Sequence, residues 1–560
     1  MKMKKIFILV LSVSLLGSCT KTLDELLVNP NGPTPESANA DLYLTQLQLN
    51  FAGFFNGASS YGMELTRMTV MYGPTYQAAY TPTSFDGLWS TAYTGVFKHA
   101  NALIPVAEKE KKWIAAGMAK TMKAYTMMTL VDMFGDIPYT TANLGSENTN
   151  PTIDKGADVY TAAIGLLDQA IADFQKSTAY PGNQDLFFQA ANATGAARWR
   201  TTAKLLKLRA INNTRLVDGG AIGKINTLLA DADVVAAMSG TGNDFEFKYS
   251  TKQAAPNSRH PRYNGNYSAA GSAGDYMGVY FMWSLAADKG NFNNTESRNT
   301  SDPRTRYYFY RQQTNNNNVS SNTLSCSTFP VPSHYLPGMP FCQFENSFGF
   351  WGRNHGDNSG IPPDGPYRTT VGIYPFGGDF DANQGLNVGL NRGAQGAGIQ
   401  PIWQAAFTNF VAAEAALVGG SGNPRSLLEA GVRASISKVL GYPASVSVAV
   451  PSTLVPDATR ITTYVDKVLA RYDAAATAAD RMEVVQQEYY IALWGNGLDA
   501  YNNYRRTGRP GKMSYTIAQA GGDMIRSHYY PSVLVNLNKN LTQKTIDKKV
   551  FWDTNPAILK

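Results

Sequence analysis

The chain has 560 residues, 44% of them hydrophobic and 16% charged, with a formal charge of +7. That length exceeds what one hydrophobic core normally serves and favours two or more subdomains. Charge this dilute, with no basic block interleaved with aromatics, excludes a nucleic-acid role.

Lys2, Lys4 and Lys5 precede an apolar run, Ile6 to Leu16, that is too short to span a bilayer as a mature helix. Residues 1–18 therefore read as an export signal, whose removal takes the formal charge from +7 to +4. Leu16-Gly17-Ser18-Cys19 resembles a bacterial lipobox, in which Cys19 is acylated and becomes the first residue. Several acyl chains on one residue hold a protein firmly to a membrane. The alternative is an ordinary signal peptide that contains a cysteine. Residues 19–39 form a tether, since Pro30, Gly32, Pro33 and Pro35 forbid regular structure. No later run of 18 apolar residues exists, so the body is expected in water with only its start anchored. After export a disulfide between Cys326 and Cys342 is plausible, with two free buried thiols as the other reading.

Apolar spacing predicts a first helix over 40–55 and another over 85–106. The intervening 61–89 holds Tyr72, Tyr76, Tyr80, Phe85 and Trp89 and reads as a loop, because Pro74 and Pro82 interrupt it. The stretch Ala119–Phe134 is apolar around most of its circumference, with Lys120, Lys123, Thr126, Thr129 and Asp132 as one narrow polar stripe. It is expected inside a helical stack, closed by Gly135 in a left-handed conformation. Helices follow over 159–174, capped by Asp154 or Asp158, over 193–217, and over 222–238.

From 243 to 400 Gly, Pro, Asn and aromatic residues dominate, and helical periodicity returns only over 273–287. Irregular insertions of this length are usually functional surfaces. Helices resume from Pro401 with Trp403 and Phe407, then over 427–440, 462–472 and 480–494.

Five segments occur in order: the lipobox, Phe134-Gly135-Asp136-Ile137-Pro138-Tyr139, Ser301-Asp302-Pro303-Arg304, Trp351 to Asp357 (WGRNHGD), and Asn502 to Pro510 (NNYRRTGRP). Val550-Phe551-Trp552-Asp553 closes the chain in the same style. Together they resemble the signatures of the SusD/RagB family of outer-membrane nutrient-binding lipoproteins. The resemblance implies a mostly α fold, a tetratricopeptide-like right-handed superhelix built from 40–242 and 401–560, with the loop-rich 243–400 carrying part of the ligand and partner surface. It implies a non-catalytic, lipid-anchored glycan-binding protein at the cell surface of a Gram-negative bacterium. Its partner would be a SusC-like TonB-dependent β-barrel transporter. Peptide or glycoprotein cargo, or a surface-anchored glycoside hydrolase, remain the rival readings.

No nucleophile elbow, HExxH or phosphate loop is present, and the five histidines are scattered. The best metal candidates are Asp379, Asp381 and Asn383, whose alternate oxygen donors loosely fit a structural calcium loop; no other cofactor is expected. Sugars offer C–H faces to aromatic rings and hydroxyl rims to Asn, Asp and Arg. By resemblance, such sites sit on the loop after the first helix and on the central insertion. Tyr72, Tyr76, Tyr80, Trp89, Tyr276, Tyr280, Trp283, Trp351 and Arg353 are the resulting ligand-binding candidates, although each ring alone fits a core as well.

Overall fold

Apolar residues recurring every three to four positions dictate rods, and consecutive rods bury their stripes against each other. The computed structural model describes residues 40–176, 184–189, 192–271, 273–286, 302–314, 330–341, 349–358, 368–557 and 559–560. The first run of helices is α1 (Ala40–Leu65), α2 (Lys98–Lys109), α3 (Trp113–Phe134), α4 (Gly156–Lys176), α5 (Asn192–Thr214), α6 (Ala221–Leu229) and α7 (Ala232–Met238). The central region contributes α8 (Val279–Ala286). The second run is α9 (Ala405–Leu417), α10 (Pro424–Ser445), α11 (Ala458–Ala474), α12 (Ala478–Ala492) and α13 (Gly497–Thr507). α3 packs on α4, α4 on α5, α9 on α10, and α13 returns to lie on α1. Cys19, Cys326 and Cys342 lie outside the described residues, as does the 1–39 leader and tether.

The central region is closed by strand pairing. β1 (Phe245–Lys248) lies antiparallel to β4 (Ile399–Trp403), and β2 (Phe309–Arg311) lies antiparallel to β3 (Thr369–Val371). Trp403 thus ends a strand and does not open the next helix; Pro401 lacks the N–H a helix interior needs, and α9 begins only at Ala405. α1 continues ten residues beyond the expected end, so Tyr61 is helical. The 222–238 segment breaks into two helices because Asp231 caps a new start, its carboxylate accepting from the Asp233 N–H.

α3 is buried along nearly its whole length, and the charged members of its polar stripe, Lys120 and Asp132, face other polar groups, while Thr126 donates back to the Met122 carbonyl of its own helix. Lys120 pairs with Asp173 of α4 and with Glu108, while only Lys123 is half-exposed. Gly135 ends the helix at φ 81° but ψ −119°, so the residue uses a positive φ outside the left-handed helical region expected of it. Neither Asp154 nor Asp158 caps α4. Asp136 accepts from the Gly156 N–H at 2.8 Å, and Asp154 instead accepts from the N–H groups of Tyr139 and Thr140.

The α1–α13 crossing needs two glycines. A Cβ on Gly62 would lie 2.1 Å from the Gly497 carbonyl oxygen, whereas one on Gly53 of the same helix meets nothing within 4 Å. Gly62→Ala is expected to lose about 1–3 kcal/mol through forced separation of the helices. Gly53→Ala should gain up to about 1 kcal/mol from helix propensity. Thermal melts of the two variants moving in the same direction would contradict this packing.

Candidate ligand-binding site

Four loops are stitched together by backbone hydrogen bonds around the signature WGRNHGD. Val70 N–H donates to the Tyr276 carbonyl, Arg353 N–H to Met277, Thr369 N–H to Trp351, and Ile517 N–H to His355. Short β-bridges, Thr69 with Met277 and Gly278 with Arg353, hold the same loops in register. Backbone pairing of this kind gives loop side chains a rigid mount despite the absence of long strands.

On this mount Tyr72 stands out, 43% exposed, with its ring edge-on to Tyr276 at 6.1 Å between centroids. Beside it Tyr276 is buried against two guanidiniums, with the Arg353 Cζ 4.4 Å and the Arg368 Cζ 4.2 Å from its ring centre. Arg353 also donates to the Tyr276 hydroxyl at 3.4 Å and lies 3.9 Å from the Asp357 carboxylate. Asp275, two-fifths exposed, pairs with Arg262 at 2.9 Å beside the same rim. Burial pushes the Tyr72 hydroxyl well up from its ordinary value, reinforced by the Asp275 carboxylate. Half-buried Glu64 accepts from the Tyr80 hydroxyl at 2.8 Å, and loss of solvent raises its carboxyl to about 7.

The candidates named from sequence divide sharply. Tyr72, Tyr276, Trp351 and Arg353 meet on the stitched loops, but only Tyr72 is exposed there; Tyr276, Trp351 and Arg353 are buried, as are Tyr76, Tyr80, Trp89 and Tyr280 in the core. Tyr76 accepts from Arg67 at 3.1 Å, Trp89 stacks on Tyr93 at 4.7 Å, and Tyr280 packs between Trp283 and Tyr490. Trp283 is half-buried at the edge of that group. The reason is the size of the apolar face: rings at these positions remove large areas from water, and burial wins where neighbouring helices are close. Trp351 is also buried, its indole N–H without a hydrogen-bond partner. Arg368, Asp275 and Glu64 were missed. Each is a single charged side chain with no motif around it, and only the approach of distant loops gives it a role, so no sequence signal singled them out.

The calcium reading does not fit. Arg392 Nη2 is 2.7 Å from Asp379 Oδ2, Arg311 Nη2 is 3.0 Å from Asp381 Oδ1, and Arg311 also donates to Asn383. Guanidiniums already neutralise both carboxylates and would repel a divalent ion. Among the described residues no three His, Cys, Asp or Glu side chains converge as metal ligands. His260, His355 and His528 are buried singly, and burial holds each below its ordinary pKa.

The other signatures are fasteners within the helical stack. Arg304 of SDPR is fully buried against Asp302, Ser435 of α10, Tyr464 of α11 and Glu488 of α12. Arg506 of the carboxy-terminal signature holds Glu414 of α9, and Arg526 holds Asp553.

The helical stack thus fastens itself with buried ion pairs and mounts an exposed tyrosine beside buried guanidiniums. Residues 34–324 match the family model described as "Starch-binding associating with outer membrane", and residues 397–547 match "Susd and RagB outer membrane lipoprotein". The chain belongs to the SusD-like family. Among solved structures it is similar to a SusD homolog from Bacteroides fragilis, at 16% identity over 92% of this chain and 99% of that one, TM-score 0.64. A SusD/RagB family protein from Bacteroides thetaiotaomicron matches at 18% identity over 93% and 100%, TM-score 0.64. A chitin-binding SusD homolog from Flavobacterium johnsoniae matches at 18% over 91% and 99%, TM-score 0.59. No curated protein matches it in sequence. The fold is the tetratricopeptide-like helical one expected. As a family member the chain is a nutrient- or glycan-binding protein of the outer membrane and not an enzyme. No described helix is long and apolar enough to cross a membrane.

Proposed function

We propose that this protein is held at the outer membrane by acyl chains on Cys19 and captures oligosaccharide for a SusC-like TonB-dependent β-barrel transporter. The observation that carries the capturing role is the exposed Tyr72 ring, held on four hydrogen-bonded loops of a family scaffold. An aromatic face covers the C–H patches of a pyranose, and polar groups such as Asp275 bond the hydroxyl rim. The transporter supplies the energy, so the capturing protein works with moderate affinity and fast release. Membranes solubilised in detergent should yield the protein together with a large β-barrel. Repeated isolation of a lone species, or labelling with no acyl group at Cys19, would remove the delivery or the anchoring part respectively.

A glycan and peptide binding screen tests the cargo, and chito-oligosaccharides belong in it because one structurally similar protein binds chitin. Tyr72→Ala should weaken the bound glycan by roughly 1 kcal/mol, about fivefold in Kd, with the melting temperature unchanged. Unaltered affinity in that variant would move the site elsewhere on the surface.

A further inference from the structure

One cavity outside the stitched loops has the makeup of a sugar pocket. It holds about 510 Å³ and is walled by the segments 523–529, 545–549 and 556–559, with Gln77 at its edge. That volume lies within the range of small-ligand pockets. Its floor is apolar, with Met524, Ile546 and Leu559 all buried. The floor is also fixed: the Met524 N–H donates to the Leu559 carbonyl at 2.8 Å, and the Arg526 and Ser527 N–H groups share the Ile546 carbonyl. Donors spent in this way cannot pair with an extended peptide, which binds by adding a strand.

Tyr529 supplies a wall. Its neighbour Tyr530 is a core residue whose hydroxyl donates to the Asp136 carbonyl at 2.8 Å. Tyr529 is half-buried against the core, yet among the described residues its hydroxyl has no hydrogen-bond partner and its ring meets no other ring. Adjacent positions thus commit one tyrosine to the interior and leave the other to the cavity. Around the mouth stand Gln77, Thr545 and Asp547, all exposed. Gln77 rides on the one-turn helix Tyr76–Ala79, whose Tyr76 is pinned by Arg67 at 3.1 Å. The charged residues of the lining cancel, two acids (Asp523 and Asp547) against two bases (Arg526 and Lys549). Arg526 is moreover taken up by Asp553, and Lys549 by the Asn555 carbonyl at 2.9 Å. An apolar floor, one open ring, a polar mouth and no net charge match a neutral pyranose, with its C–H faces and its rim of hydroxyls.

We propose that this cavity is a second sugar subsite, in which Tyr529 covers the C–H face of a neutral pyranose while Gln77 and Asp547 bond its hydroxyls. This inference rests on the glycan-binding reading above, though not on Tyr72. Tyr72 and Gln77 are five residues apart in sequence. At most about 18 Å of extended chain therefore separates the two places, within the reach of one oligosaccharide.

Calorimetric titration of the whole purified protein tests this with chitohexaose, cellohexaose, maltohexaose and mannohexaose, beside an oligogalacturonate of the same length. At least one neutral hexasaccharide should bind. Tyr529→Ala should weaken it about fivefold, with the melting temperature unchanged. Thr545→Trp, at the exposed mouth, should fill the cavity and weaken binding at least as much, and it answers the question if Tyr529→Ala disturbs the fold. A neutral hexasaccharide whose affinity survives both variants overturns the pocket, and its weakening in Tyr72→Ala would leave the glycan reading standing. Loss of affinity confined to the oligogalacturonate overturns the assignment to a neutral sugar. Binding of peptides and of no glycan overturns both the pocket and the reading it rests on.

Discussion

Replacing Asp132 by alanine is expected to remove about 3–5 kcal/mol of folding stability. Asp132 is fully buried on α3 and its carboxylate accepts four side-chain hydrogen bonds. Tyr160 and Trp552 donate to one oxygen at 2.5 and 3.0 Å, and Asn502 and Arg209 to the other at 2.8 and 3.2 Å. These partners come from α4, α5, α13 and the segment near the chain end, so one carboxylate joins both runs of helices. Without it Arg209 keeps only Asp499, and three further buried donors lose their acceptor. Removing one partner of a buried ion pair costs about 3–5 kcal/mol, a large fraction of the roughly 5–15 kcal/mol by which an ordinary domain is stable. Asp132→Asn should cost less, because the amide oxygen still accepts while its NH2 opposes the donors on the other side. Asp168→Ala, which removes a half-exposed surface pair with Lys207, should stay within about 1 kcal/mol. Urea midpoints of the three variants should rank in that order. An Asp132→Ala protein as stable as the Asp168→Ala one would show that the hub is not what joins the helix runs.

That hub also marks where sequence reading stops. The helices were legible because a 3.6-residue period is a local signal, and the apolar circumference of α3 rightly placed it inside the stack. What its polar stripe was for was not legible. The partners of Asp132 lie 28, 77, 370 and 420 positions away, and no local pattern predicts which of them a fold will bring together. The site shows the same limit from the other side. Tyr72, Tyr76 and Tyr80 share a spacing and a residue type, yet Tyr72 is exposed while Tyr76 and Tyr80 are sealed against Arg67 and Glu64. Burial is decided by what approaches from elsewhere in the chain. The signatures that carried the family resemblance, Asp136, Asp302, Arg304, Asn502, Arg506 and Trp552 among them, prove to be internal fasteners. They identify the scaffold because the scaffold cannot be closed without them. The exposed Tyr72, on which the proposed capture relies, lies outside those motifs.

A second fastener sets the acid sensitivity of the fold. Glu414 is fully buried on α9, gripped by Nε and Nη2 of Arg506 at 2.8 Å each, by Arg215 at 2.8 Å, and by Gln486 at 2.8 Å. Burial alone pushes its carboxyl up, but the two guanidiniums outweigh that and bring it down to about 2, against an ordinary 4.5. A folded-state value below the unfolded one means that the unfolded chain binds the proton first as pH falls. The contribution of Glu414 is therefore complete above about 4.5 and is lost progressively as the pH falls through 2. A shift of this size corresponds to roughly 3 kcal/mol. Glu414→Gln should accordingly lower stability by about 3–5 kcal/mol at neutral pH, since Arg506 and Arg215 are left buried without their anion. Because glutamine does not titrate, the gap between the wild type and the variant should stay constant from pH 7 down to about 5 and then narrow steadily toward pH 2. Urea unfolding of the pair across that range measures it directly. A gap that stays flat to pH 2 would mean that Glu414 keeps its proton affinity on folding, and that shape alone, not charge, makes it the clasp between α5, α9 and α13.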